Sequence, residues 1–112
     1  MGLMKMPTYA GGGHIKCESG SIPIAGVTTT TSPLGFTPNK VFSYCNDGSN
    51  YQSCALDTTN NIKVMGGGGT GGTAVSGNSD YITINADNSL SFKRISSTLD
   101  GKTLYWVAIR DI

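Results

Sequence analysis

The stretch Leu104-Tyr105-Trp106-Val107-Ala108-Ile109-Arg110 decides the fold. It is aromatic and aliphatic almost throughout, in the residue types that favour strands. Side chains in a strand alternate between two faces, so Leu104, Trp106 and Ala108 share one. That stripe is apolar. It belongs in a core or a subunit interface, in preference to a sugar-stacking platform built on Trp106. Buried there, the indole N–H of the chain's one tryptophan would need a partner.

Outward from this strand the same signature recurs. Short runs of β-branched and aromatic residues are separated by Gly, Asn and Asp. They predict strands at about 14–19, 21–24, 27–31, 40–45, 52–57, 61–65, 81–85, 89–95 and 103–110. Ile82 and Ile84 alternate with Tyr81, Thr83 and Asn85, and Leu90 and Phe92 with Ser89, Ser91 and Lys93. One apolar and one polar face per strand points to antiparallel sheets. No window shows helical apolar spacing, so α-helix is not expected. Asn46-Asp47-Gly48, Thr59-Asn60-Asn61, Ala86-Asp87-Asn88 and Asp100-Gly101 carry the residues that tight turns need. The threonine run from Thr28 is β-prone and is broken at Pro33. The glycine run Met65-Gly66-Gly67-Gly68-Gly69-Thr70-Gly71-Gly72-Thr73 reads as part of a loop of roughly fifteen residues, long enough to be functional or mobile.

The chain has 112 residues, which suits one domain: a lead-in over residues 1–12 and a single unit over 13–112. Charged residues make up 13%, against about 25% in an average soluble domain. Gly, Ser, Thr and Asn fill the difference. A net charge of +1 supplies neither a field for nucleic acid nor a polybasic membrane patch. No run approaches the ~20 apolar residues of a bilayer span, so no membrane insertion is expected. No signal-peptide pattern opens the sequence, and synthesis without export is the simplest reading. Cys17, Cys45 and Cys54 are odd in number and lack paired spacing. Buried free thiols are expected in place of a disulfide framework or a zinc site completed by His14. No metal or cofactor is expected.

Catalytic motifs are weak. Gly66, Gly68 and Gly71 match G-x-G-x-x-G as any glycine run would, but a strand follows where a dinucleotide site needs a helix. No G-x-S-x-G elbow surrounds a serine, and His14 is the sole histidine. The seven acidic residues are scattered, mostly at turns, and nothing selects a glycosidase pair among them. The expectation is a chain that is not an enzyme.

If the strands from Lys40 onward ran in simple up-and-down order, connections 46–51, 66–80 and 96–102 would share one end of the sheet. The turns near Asn60 and Asp87 and the approach through residues 33–39 would share the other. The first end would gather Asn50, Tyr51, Asn78, Asp80, Tyr81 and Asp100, neutral and acidic hydrogen-bonding groups with aromatics beside them. Such loops over a rigid sheet are where binding commonly sits, so these six are the candidate ligand-binding residues.

Leu34-Gly35-Phe36-Thr37-Pro38-Asn39-Lys40-Val41, followed by a strand, an Asp-Gly turn, a late hairpin and Trp106-Val107-Ala108-Ile109, resembles a known β-sandwich module. It looks like the C-terminal domains of bacteriophage and prophage tail-fibre or baseplate proteins, and its layout is similar to H-type lectin domains. The likeness runs from about Gly20 to Ile109. Pro38 follows Phe36 by one residue fewer than in the lectin pattern, and the lectins' sugar-binding residues have no matching positions here. The resemblance implies an antiparallel β-sandwich of about eight strands. It also implies a homo-oligomer, a trimer, that binds a host-surface glycan or other receptor as part of a virion tail made in the host cytoplasm. The alternative it allows is a structural tail or baseplate subunit that touches other tail proteins.

Overall fold

The computed structural model describes residues 15–69 and 80–111. His14, Asn78 and most of the expected 66–80 loop lie outside them. Eight strands occur among the described residues: β1 (Lys16–Pro23), β2 (Thr28–Thr30), β3 (Lys40–Asn46), β4 (Asn50–Asp57), β5 (Ile62–Gly69), β6 (Ile82–Ile84), β7 (Leu90–Lys93) and β8 (Thr103–Arg110). A single 3-10 turn, Ser97–Leu99, precedes β8. The protein is all-β. One antiparallel sheet has the order β1-β8-β3-β4-β5 and the other β2-β7-β6. The two face each other across one core, as a β-sandwich.

Alternation builds that core. On β8, Leu104, Trp106 and Ala108 point inward and are buried, as their spacing predicts. They meet Val41 and Cys45 of β3, Cys54 and Leu56 of β4, and Ile82, Leu90 and Phe92 of the small sheet. Each large apolar side chain contributes roughly 1.5–3 kcal/mol by leaving water. Trp106 pairs with Gly20 on one side and Ser43 on the other, two small residues that leave room for the indole. A methyl group on Gly20 would stand 2.8 Å from Trp106 Cζ2, so only glycine fits under the ring.

Two buried polar residues fasten separate segments, one across the layers and one within the large sheet. Gln52 faces inward from β4; its Nε2 donates to Lys93 O at 2.8 Å and its Oε1 accepts from Ile95 N at 3.0 Å. This amide bridges the sheets just where β7 leaves the small one. Asn39 gathers the opposite end. Its side chain donates to Thr59 Oγ1 and Asp111 Oδ1 and accepts from the Asp111 N–H, while its carbonyl accepts from the Thr58 N–H. Lys40 closes the cluster on Asp111 at 2.7 Å. Buried polar groups are tolerable because they are bonded in this way.

Several expectations change. The two strands predicted at 14–19 and 21–24 are one strand, β1, because its pairing with β8 runs unbroken through Gly20. The glycine run is not loop from its start: Gly66–Gly69 complete β5, paired with Asn50–Ser53 of β4. A neighbour with side chains supplies the ladder that glycine lacks the propensity to start. The single up-and-down order holds only for β3, β4 and β5. The β6–β7 hairpin then forms the second sheet, and β8 returns between β1 and β3. Cys17 is exposed, not buried, because it pairs with Ile109 on the outer face of the edge strand, which no strand covers among the described residues.

Candidate functional site

The ends of the large sheet can be read from its register. Asn46 pairs with Tyr51, Asn50 with Gly69, and β8 begins beside Pro23, so residues 46–50, Gly69 and the 96–102 connection share one end. The turns at Asn60 and Asn88 and the 33–39 approach share the other: Thr37 Oγ1 donates to Asn88 Oδ1 and Asn39 Nδ2 to Thr59 Oγ1. The 46–51 and 96–102 connections thus share an end as expected, although the strand order behind this differs, and residues 70–79 of the third expected connection lie outside the described residues.

At the first end the groups are largely engaged with one another. Asp47 accepts from the N–H groups of Ser49 and Asn50, from the Asn50 side-chain amide, and from the Thr98 hydroxyl of the 3-10 turn. The Thr98 bond is the largest of several that hold its carboxyl well below the usual carboxylate range. Asn50 thus serves the turn that carries it. Tyr51 follows on β4 and is half-buried, with the ringless Gly68 as its cross-strand neighbour. Asp100 pairs with Arg94 at 2.5 Å, though the Arg94 Nε–H is not aligned to bond it.

Asp80 and Tyr81 stand side by side just ahead of β6, at the open end of the β6–β7 hairpin. Asp80 binds Lys63 at 2.7 Å, and this contact lowers its pKa. Lys63 pairs with Leu56, roughly 17 Å along β4 from Tyr51. Asp80 and Lys63 border a groove of about 390 Å³ between the sheets, floored by Leu56, Ile82 and Ile84. Tyr81 O accepts from the Lys93 N–H at 2.9 Å, and Lys93 O in turn accepts from the Gln52 amide, one residue from Tyr51; Lys93 Nζ is 5.9 Å from the Tyr81 ring centre. The structure so brings Asn50, Tyr51 and Asp100 to one end and holds Asp80 with Lys63 toward the other. Asn78 lies outside the described residues.

Two features were not singled out from the sequence. The outer face of the large sheet is one. Tyr105 pairs with Tyr44, and Phe42 with Val107; Tyr105 is 55% exposed and Phe42 and Tyr44 44% each. A shallow apolar depression of about 170 Å³ lies among them. Ile62 and Val64 extend the apolar surface onto β5. Charge on β3 and β4 of this face is confined to Lys40 and Asp57, which pair at one rim. The odd-numbered residues of β8 carried the signal, since they are as apolar as the even ones. The second feature is a cleft of about 240 Å³ where β1 meets the segment after β2, lined by Glu18, Ser21, Ile22, Thr31, Ser32, Pro33 and Trp106.

Metal-ligating side chains do not gather: no group of three His, Cys, Asp or Glu is placed to hold an ion among the described residues. Burial raises the thiol pKa of Cys45 to about 11 and raises that of Cys54. No helix among the described residues is long and apolar enough to cross a membrane. No family model, curated protein or solved structure matches the chain.

Proposed function

We propose that this chain is a non-catalytic binding domain of a phage or prophage tail appendage, with an H-type-lectin-like sandwich. It self-associates as a trimer and recognises a host-surface component, a glycan in the first instance. The exposed aromatic face of the large sheet carries this reading. A cluster of exposed aromatics rimmed by polar residues is the usual mark of an interaction surface. Five strands about 4.8 Å apart and up to eight residues long present roughly 600 Å² of flat area, near the ~800 Å² per partner of a standard interface. The face is almost uncharged, so a second copy can meet it without repulsion.

Association gives the binding reading its physics. A single shallow site for a neutral ligand is weak, and several copies held together multiply its hold on a surface that repeats the ligand. The low-charge surface rich in Gly, Ser, Thr and Asn suits a neutral partner better than nucleic acid or an acidic membrane. The same face favours one other reading, a structural subunit whose aromatic patch meets a different tail protein. Light scattering at micromolar concentration separates the two. A trimer is the expected result, and a monomer overturns self-association. Adsorption of the intact oligomer to host cells tests the receptor role, and absence of adsorption to every candidate host overturns it.

A further inference from the structure

The geometry points to the cleft between β1 and residues 31–33 as a binding pocket for a neutral, polyhydroxylated ring, the terminal sugar of a glycan. The inference deepens the glycan reading above by giving it a site, and it moves that site away from the loops at the sheet end.

The pocket begins with the indole. Trp106 is only 7% exposed, and among the described residues its N–H has no hydrogen-bond partner. A buried indole usually has one. The ring reaches from β8 across Gly20, whose added Cβ would meet Cζ2 at 2.8 Å, Cε2 at 3.0 Å and Nε1 at 3.2 Å. Those atoms therefore stand over β1, the edge strand along which the cleft opens. The fully buried unpaired side-chain nitrogen among the described residues is Arg94 Nε, so the indole nitrogen keeps an opening. The cleft lined by Trp106 supplies it.

The other walls define the chemistry. Glu18 lies on the same face of β1 as Gly20, is exposed, and has no ion pair or hydrogen bond among the described residues. Its carboxylate is an acceptor for up to two hydroxyl donors. Ser21 alternates to the outer face with its partner Tyr105, so it borders the cleft through its main chain. The Thr31 hydroxyl is already used: it donates to Ser32 O at 2.8 Å and accepts from Leu90 N at 3.0 Å. These bonds fix the strap that carries the Ser32 hydroxyl. Ile22 and Pro33 add apolar surface.

The ligand class follows by matching. An ammonium group suits Glu18 but has no lone pair for the indole N–H. A carboxylate or phosphate suits the indole and is repelled by Glu18. A neutral ring with neighbouring hydroxyls donates to one and accepts from the other, and lays its C–H face on Ile22 and Pro33. At about 240 Å³ the cleft is below the ~300–1,000 Å³ of drug-sized sites, which suits one ring and not an oligosaccharide.

Trp106 is the one tryptophan of the chain, so its emission reports on the pocket directly. The intact chain is titrated with D-galactose, D-glucose, D-mannose and N-acetyl-D-glucosamine. A saturable change with at least one, at a dissociation constant on the order of millimolar, is expected. Glu18→Gln keeps the shape of an exposed residue and removes the charge. It is expected to weaken that binding about tenfold with the melting temperature unchanged, as loss of a charged hydrogen bond does. N-acetylneuraminic acid, an anionic ring, is expected to give no saturable change. Flat titrations with all four neutral sugars overturn the pocket, as does undiminished affinity in Glu18→Gln, or a saturable response to n-butylamine with none to the sugars. The two readings fail separately. Sugar binding by a chain that adsorbs to no host keeps the pocket and sinks the receptor role; an adsorbing trimer with flat titrations does the reverse.

Discussion

The two faces of the five-stranded sheet are built from the same strands and do opposite things. On β8 the inward residues Leu104, Trp106 and Ala108 are almost as apolar as the outward Tyr105, Val107 and Ile109. The inner three are buried under the small sheet, whereas Tyr105 stays more than half exposed. Apolar character alone therefore does not mark the core. What marks it is a second layer, and the second layer has only three strands against five. Among the described residues the outer face has no layer of its own, and on the function proposed above folding falls to one face and association to the other.

The largest expected effect lies on the inner face. Trp106→Ala should destabilise the chain by ~3–5 kcal/mol, the usual cost of truncating a large buried aromatic. Chemical denaturation measures it. Gly20 and Ser43 on either side have too little side chain to fill the space. A loss under about 1 kcal/mol would mean that the indole is a ligand platform first and a core residue second, and the contrast between faces would blur.

Next comes the outer face. Tyr44→Ser with Tyr105→Ser should convert the oligomer to monomer in light scattering while the circular dichroism spectrum stays that of a β protein. Substitutions at exposed positions away from special features usually stay within about 0.5 kcal/mol. If the double variant remains oligomeric, association uses another surface. If it unfolds, the outer face is part of the fold after all.

How far these differences were legible in the sequence depends on how local their causes are. The alternation of Ile82 and Ile84, of Leu90 and Phe92, and of the β8 stripe is a two-residue pattern, and it gave the all-β fold and the inward set. The turns were legible for the same reason, and Asn61 and Asn88 take the positive φ expected of such positions. Strand partners were not legible, because β8 reaches β1 across some eighty residues of intervening chain. The glycines of β5 misled because glycine carries no strand preference. Their place is set by β4 and by Ile95, whose Cδ1 would lie 2.9 Å from a methyl group on Gly67. Glu18 was passed over as one scattered acid among several. It gains meaning only where β1, the indole and the Thr31–Pro33 strap converge, a meeting of three segments that no spacing encodes.

Acid should act on neither face but on the ends that join them. Asp47, Asp57, Asp80, Asp87 and Asp111 sit at turns and termini, and each is held below its ordinary pKa. The leading causes are bonds from Thr98, Asn60, Lys63, Ser89 and Lys40 in turn. A carboxylate whose folded pKa lies below its unfolded value of about 3.9 contributes stability above that pH and loses it as pH falls through the folded value. The melting temperature should thus hold between about pH 5 and 7 and decline below about pH 4. All five are solvent-facing, so the decline should be gradual. A melting temperature that rises on acidification would show that charge repulsion, not these bonds, governs the ends.

The smallest effect, one of rate and not of stability, reads the contrast between faces through sulfur. Cys17 pairs with Ile109, so it belongs to the outer face, and it is exposed. Cys45 and Cys54 lie on the inner face and are buried. Burial raises both buried thiols, Cys45 to about 11, so at neutral pH they are protonated as well as inaccessible, and the thiolate is the reactive species. The sign agrees with the packing. A thiol whose folded pKa lies above its unfolded value of about 8.5 is favoured in the folded state at all pH below that value, and the advantage fades only as pH climbs toward the folded value. With a chromogenic disulfide at pH 8, one thiol per chain should react quickly and two only at the rate of unfolding. Adding denaturant should merge the three into one fast phase. Association sharpens the test, because Cys17 lies beside the apolar face. Its reaction should slow in the oligomer and recover in the Tyr44→Ser, Tyr105→Ser variant. Three thiols reacting together in the native protein would mean that the inner face is no more closed than the outer, and the division of labour between them would fail.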